Sequence, residues 1–189
     1  MSYVGVKKLI SGSFSCPYLK PVIGPGAKKK HDAVVELVKD WFKKKKGASC
    51  FTEQPLHDER GSIKGRADII CEDPERAVHI VEAKSTRVYE AKLQDLIQLM
   101  FYVYMYSQNK NVPIEHIHAY LTYKRGWWSA YIIELRGDIK KALAEIVPSI
   151  AEMQKHISKE AHGLKTGELY VISDLCRICA SDSCPFQAS

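Results

Sequence analysis

No run of residues in this sequence is apolar for long enough to span a bilayer, which argues against a membrane protein. A secretory leader is missing too: Met1 to Ile10 carry Lys7 and Lys8, but no apolar stretch follows. The cytoplasm is therefore the expected compartment, with no membrane partner. Internal repeats and low-complexity tracts are also lacking. Acidic residues are outnumbered, 22 against 28 Lys and Arg, and the net charge of +6 is a mild bias toward anionic partners such as nucleic acid. What is present is ordinary for a soluble domain: 189 residues, 46% hydrophobic and 26% charged, enough to bury one proper core.

Cysteine is unevenly spread. Of six, three crowd into Cys176-Arg-Ile-Cys179-Ala-Ser-Asp-Ser-Cys184. Clustered thiols in a cytosolic chain point to metal ligation rather than disulfides. A four-thiolate site needs one more ligand, and Cys16 near the N-terminus is the natural partner. Spacing alone leaves zinc and an iron–sulfur cluster both open. Cys50 and Cys71 fall inside strand-like segments and are expected to be small buried hydrophobes.

Apolar periodicity gives the element order. Residues 17–29 hold Pro17, Pro21, Gly24, Pro25 and Gly26 and predict a loop. A helix then follows, with His31 at its start, Ala33, Val34, Leu37, Val38, Trp41 and Phe42 on one side, and Lys43 to Lys46 at its negative end. Strands are predicted near 49–56, 62–72 and 77–84, with Asp73-Pro74 turning the second into the third. A long helix over 89–108 comes next. A hairpin of 114–123 and 127–135, turning at Arg125-Gly126, follows it, and then a helix over 138–161 containing Pro148. The simplest way to bury this order is an α/β fold, a mixed sheet flanked by helices.

The chemistry is expected where Gly65-Arg66-Ala67-Asp68 on one strand meets Glu82-Ala83-Lys84 on the next. The turn brings the two carboxylates together, and alternation puts Glu82 and Lys84 on one face. Adjacent carboxylates repel each other unless a cation lies between them. Mg²⁺ and Mn²⁺ favour carboxylate and carbonyl oxygen, so the Ala83 carbonyl joins the candidate metal ligands. A neighbouring ammonium can steady negative charge developing on a phosphate. Such residues also occur as surface charges paired across strands. The buried character of Val78 to Val81, just before them, favours a site. His31 is a further candidate ligand, and Gln94, Gln98 and Tyr102 form a helical stripe that would face the same place.

His31, the Gly-Arg-Ala-Asp68 strand, Glu82-Ala-Lys84 and Gln98-Leu-Met-Phe-Tyr102 stand in the order of the RecB-type branch of the PD-(D/E)xK nucleases, and the last is similar to that branch's Q-x-x-x-Y motif. With the cysteines added, the chain resembles the small CRISPR-associated exonucleases, the fourth Cas protein family, from about Cys16 to Cys184. The resemblance implies a single restriction-endonuclease-like domain over 1–189, with its core at about 28–135. It also implies a small cysteine-rich module, formed by the tail 170–189 and Cys16, that joins the two termini.

In that family pattern Asp68, Glu82, Lys84, Gln98 and Tyr102 are catalytic, His31, Asp68, Glu82 and Ala83 hold Mg²⁺ or Mn²⁺, and Cys16, Cys176, Cys179 and Cys184 hold an iron–sulfur cluster, 4Fe–4S ahead of 2Fe–2S. The implied activity is phosphodiester hydrolysis at single-stranded DNA ends in CRISPR spacer acquisition, with the CRISPR integrase as a partner. A RecB-type repair or viral nuclease shares the same residues. A non-catalytic zinc or iron–sulfur nucleic-acid-binding module remains the rival from another class. Tyr102, Tyr104, Tyr106, Tyr120, Tyr123, Trp127, Trp128 and Tyr131, near Lys124 and Arg125, offer one or two stacking platforms for bases, the rest being packing.

Overall fold

The computed structural model describes residues 4–7, 25–58, 63–86, 91–126 and 129–163. Its strands are β1 (Val4–Gly5), β2 (Ser49–His57), β3 (Ile63–Glu72), β4 (Val78–Lys84), β5 (Ile117–Lys124) and β6 (Ala130–Leu135). Its helices are α1 (Pro25–Lys46), α2 (Leu93–Lys110) and α3 (Gly137–Gly163), with a 3₁₀ turn at Ile114–His116. The six strands form one mixed sheet in the order β1-β3-β4-β5-β6, and β2 lies along the other edge of β3. The expected α/β architecture, a restriction-endonuclease-like mixed sheet with flanking helices, is therefore present. The cysteine module, with Cys16, Cys176, Cys179 and Cys184, lies outside the described residues.

Each turn has a local cause. Asp73 caps the link from β3 to β4, its Oδ1 accepting the N–H groups of Glu75 and Ala77 at 3.0 and 2.8 Å. From β4 the chain crosses through α2 and returns as β5 parallel to β4, the ordinary strand–helix–strand connection. The hairpin from β5 to β6 closes where Arg125 and Gly126 donate their N–H groups to the Ser129 carbonyl. Apolar residues divide between the two faces. Val34, Val38 and Phe42 of α1 pack on Ile69, Val81 and Ala83. Leu99, Phe101 and Val103 of α2, with Leu143 and Val147 of α3, pack on Ile70, Ile80 and Leu121. Among the described residues no helix is long and apolar enough to cross a membrane.

Three expectations need correction. The segment expected to be loop up to residue 29 is already helical from Pro25, which is at home in a first helical turn because it has no N–H to satisfy. His31 therefore stands inside α1 and does not open it. The second helix starts at Leu93; Lys92 is extended, its N–H taken by the Tyr123 hydroxyl at 3.1 Å and its carbonyl closing the first turn. Finally, Cys50 and Cys71 are joined in a disulfide. They are directly opposite in the β2–β3 ladder, so their side chains meet on one face. Cys71 is fully buried as expected, but neither thiol is free.

Candidate active site

The β3–β4 ladder runs from Glu72↔Val78 to Ile69↔Val81 and stops there. Beyond it the strands part, and at its far end β3 pairs with β1 at Ile63 and Lys64 instead. Asp68 and Glu82 are the first residues past the fork. Asp68 fills the missing rung with its side chain: its Oδ2 accepts the Ala83 N–H at 2.8 Å. Helices on both faces of the sheet reach into the gap. From α1, His31 Nε2 lies 3.4 Å from Asp68 Oδ1. From the α2 side comes a chain of polar groups. Lys84 Nζ donates to Glu82 Oε1 at 2.7 Å and to Gln98 Oε1 at 2.8 Å, and Gln98 Nε2 donates to the Tyr102 hydroxyl at 2.9 Å.

The structure thus brings together His31, Asp68, Glu82, Ala83, Lys84, Gln98 and Tyr102. Ala83 enters through its N–H. Gln94 sits exposed at the start of α2. Two residues, Asp95 and Glu53, escaped the sequence reading, and Tyr123 has a role at the site other than base stacking or packing. Asp95 Oδ1 holds Lys84 at 3.2 Å, and the Tyr123 hydroxyl donates to Asp95 Oδ2 at 2.6 Å. Asp95 lies one helical turn before Gln98, a spacing that places both on one face and that could have revealed it. Glu53 on β2 offers an oxygen that, with a His31 nitrogen and an Asp68 oxygen, forms a set lying within 4.8 Å of one another. No spacing signal marks it.

The electrostatics follow from burial. Glu82 is 1% exposed, and burial, reinforced by the Asp68 charge, pushes its carboxyl up to about 8 against the pull of Lys84. Its Oε2 has no hydrogen-bond partner among the described residues. Burial would raise Asp68, but the bond and charge of His31, the Ala83 N–H and the Lys7 charge together outweigh it and hold that carboxyl below its ordinary range. The same contact raises His31. Lys84 would lose its proton more easily through burial, yet the Glu82 and Asp95 charges hold it well protonated. Tyr102 is raised by burial and by the Glu82 charge, so it acts as a neutral phenol.

A divalent cation fits this arrangement. The donors are the His31 imidazole and hard carboxylate oxygens of Glu53 and Asp68, and the neighbouring Glu82 keeps one buried oxygen without a partner among the described residues. Beside Asp68 opens a cavity of about 450 Å³, lined by Lys7, Glu53, Lys64, Arg66 and Tyr102 among others. A larger one, about 840 Å³, lies among Ile114, His118, Leu135 and Lys140 and contains none of the site residues. Of the expected aromatic platforms, Tyr102, Tyr120 and Tyr123 are buried, the first and last with their hydroxyls in the site, whereas Tyr131 is exposed with Arg125 5.2 Å over its ring. Trp127 and Trp128 lie outside the described residues.

The sequence pattern of the PD-(D/E)XK nuclease superfamily matches residues 16–188. No curated protein matches the chain. Among solved structures it is similar to one titled "Crystal structure of SSO0001", at 17% sequence identity and a TM-score of 0.43, with 80% of this chain and 76% of that chain covered. With a family match over nearly its whole length, the chain belongs to the PD-(D/E)XK nuclease superfamily, whose members are metal-dependent nucleases using divalent ions such as Mg²⁺ or Mn²⁺.

Proposed function

We propose that the chain is a Mg²⁺- or Mn²⁺-dependent exonuclease that trims single-stranded DNA ends in the cytoplasm, and that it serves CRISPR spacer acquisition beside the integrase. The observation that carries the hydrolytic part is the fork in the sheet, where His31, Asp68 and Glu82 converge with Lys84 alongside. Asp68, Glu82 and His31 would hold the ion, with the Ala83 carbonyl as a further ligand. When bound, such an ion polarises a phosphate and lowers the pKa of water. The chain's own groups do the rest. Lys84, gripped by Glu82, Asp95 and Gln98, presents a fixed positive charge to the phosphate as negative charge builds on it. Tyr102 holds Gln98, and Gln98 holds Lys84, so the ammonium is preorganised.

The exonuclease, single-strand and CRISPR parts rest on the order of His31, Asp68, Glu82-x-Lys84 and Gln98-x-x-x-Tyr102. The same resemblance assigns Cys16, Cys176, Cys179 and Cys184 to an iron–sulfur cluster, 4Fe–4S in this reading. End-labelled single-stranded DNA should be shortened only when Mg²⁺ or Mn²⁺ is added. Lys84→Ala should slow this by roughly 100- to 1,000-fold, the usual cost of one preorganised charge donor. Full activity of Lys84→Ala or Glu82→Ala would remove the proposed site. For the cluster, a brown protein with iron and acid-labile sulfide is expected; a colourless protein containing zinc would refute it.

A further inference from the structure

Glu53 is not among the residues proposed above to hold the ion. It lies mid-strand in β2, between the ladder pairs Thr52↔Ile69 and Gln54↔Ala67, and so faces Asp68 across the sheet. On the other side of Asp68, across the fork, stands Glu82. Glu53, Asp68 and Glu82 thus make a row of carboxylates over three neighbouring strands. An oxygen of Glu53 falls, with the His31 and Asp68 ligand atoms, in a group no wider than 4.8 Å. Independently, Glu82 is almost wholly buried and, among the described residues, its Oε2 has no partner at the same fork. An acceptor sealed from water and given no donor is costly unless something positive occupies the space.

Glu53's present partner is weak competition. Arg66 Nη1 meets Glu53 Oε2 at 2.9 Å, but both side chains are more than half exposed, and such pairs hold little free energy in water. A doubly charged ion between Glu53 and Asp68 would outweigh it. The backbone of Glu53 is also unusual, with φ at +54°, which glycine tolerates and glutamate adopts reluctantly.

We propose that Glu53 is a further ligand of the divalent cation, giving up Arg66 when the ion enters. The inference rests on the metal-nuclease reading of this site and extends it to a strand outside the family motifs.

The test is Mn²⁺ binding to the full chain, read from the electron paramagnetic resonance of free Mn²⁺ and from the rise in melting temperature on adding Mn²⁺. Four proteins are compared: the unaltered chain, Glu53→Gln, Glu53→Gly and Asp68→Asn. Both Glu53 variants should bind Mn²⁺ more weakly, on the order of tenfold, and gain less melting temperature from it. Without metal, Glu53→Gly should melt no lower than the unaltered protein, since glycine accepts the backbone angle. Glu53 variants that bind Mn²⁺ as tightly as the unaltered chain, while Asp68→Asn does not, would overturn the inference and leave the nuclease reading intact. Undiminished binding by Asp68→Asn would bring down both.

Discussion

The Asp68 carboxylate takes the Ala83 N–H at 2.8 Å, and so a side chain supplies the rung at which the β3–β4 ladder ends. Asp68 has two duties, one oxygen for the backbone and the other toward His31. They should separate by substitution. Asp68→Asn keeps an acceptor for Ala83 and should fold nearly as well as the unaltered protein in EDTA. Asp68→Ala orphans a buried N–H and should lose about 1–3 kcal/mol in urea unfolding. Both should lose metal-dependent cleavage. Equal stability of the two variants would show that the rung carries no weight.

Glu82 makes stability depend on pH. Its carboxyl is raised by burial from 4.5 to about 8, so between those values the native state holds a proton that the unfolded chain has released. That contribution is complete at low pH and is lost as pH climbs to about 8. His79, lowered by burial, acts in the opposite sense at and below its ordinary value of 6.5. Between pH 7 and 8.5 His79 is silent, while Glu82 and the raised His31 act in the same sense, so the melting temperature in EDTA should fall there. Mn²⁺ binding in that window should release protons, measurable by calorimetry in buffers of different ionisation enthalpy. A flat melting temperature together with no proton release would contradict the assignment.

Gly65 is a packing requirement of the site. A Cβ added there would lie 2.6 Å from Tyr102 Cε1, 3.0 Å from Val6 Cγ2 and 3.2 Å from Met105 Cε. The ring is buried and cannot swing aside, and it carries the hydroxyl that holds Gln98. Gly65→Ala should cost roughly 1–3 kcal/mol, as overpacked cores do. It should also lower the cleavage rate at saturating metal. Thermal melts and single-turnover cleavage check both halves.

The Cys50–Cys71 bridge closes a loop of sequence separation 21 along the β2–β3 pair. Replacing both residues with alanine should lower stability by about 2–4 kcal/mol, mainly because the unfolded chain gains freedom. Peptide mapping without reductant should find these two residues linked. Finding both thiols alkylated would contradict the bridge.

Much of this site was legible in the sequence, because its parts are short-range patterns. Two strands joined by Asp73-Pro74 had to bring Asp68 near Glu82. Strand alternation put Lys84 beside Glu82, and helical spacing put Gln98 with Tyr102. Long-range register was not legible. Nothing in the local pattern tells that Cys50 faces Cys71 or that Glu53 faces Asp68; both follow from how far β2 slides along β3. Asp95 lies off the four-residue stripe of Gln94, Gln98 and Tyr102 and joins the site through Lys84 and Tyr123. The Pro and Gly residues before His31 suggested a loop, although a proline such as Pro25 suits the first turn of a helix.

The forked sheet has a mechanical consequence. His31 comes from one leaf of the sandwich, while Lys84, Gln98 and Tyr102 belong with the other. Anything clasped in the cleft is gripped from both sides at once, and neither leaf can open without letting go. Loading should therefore slow amide exchange in α1 and α2 together, so that two separately breathing layers become one cooperative block.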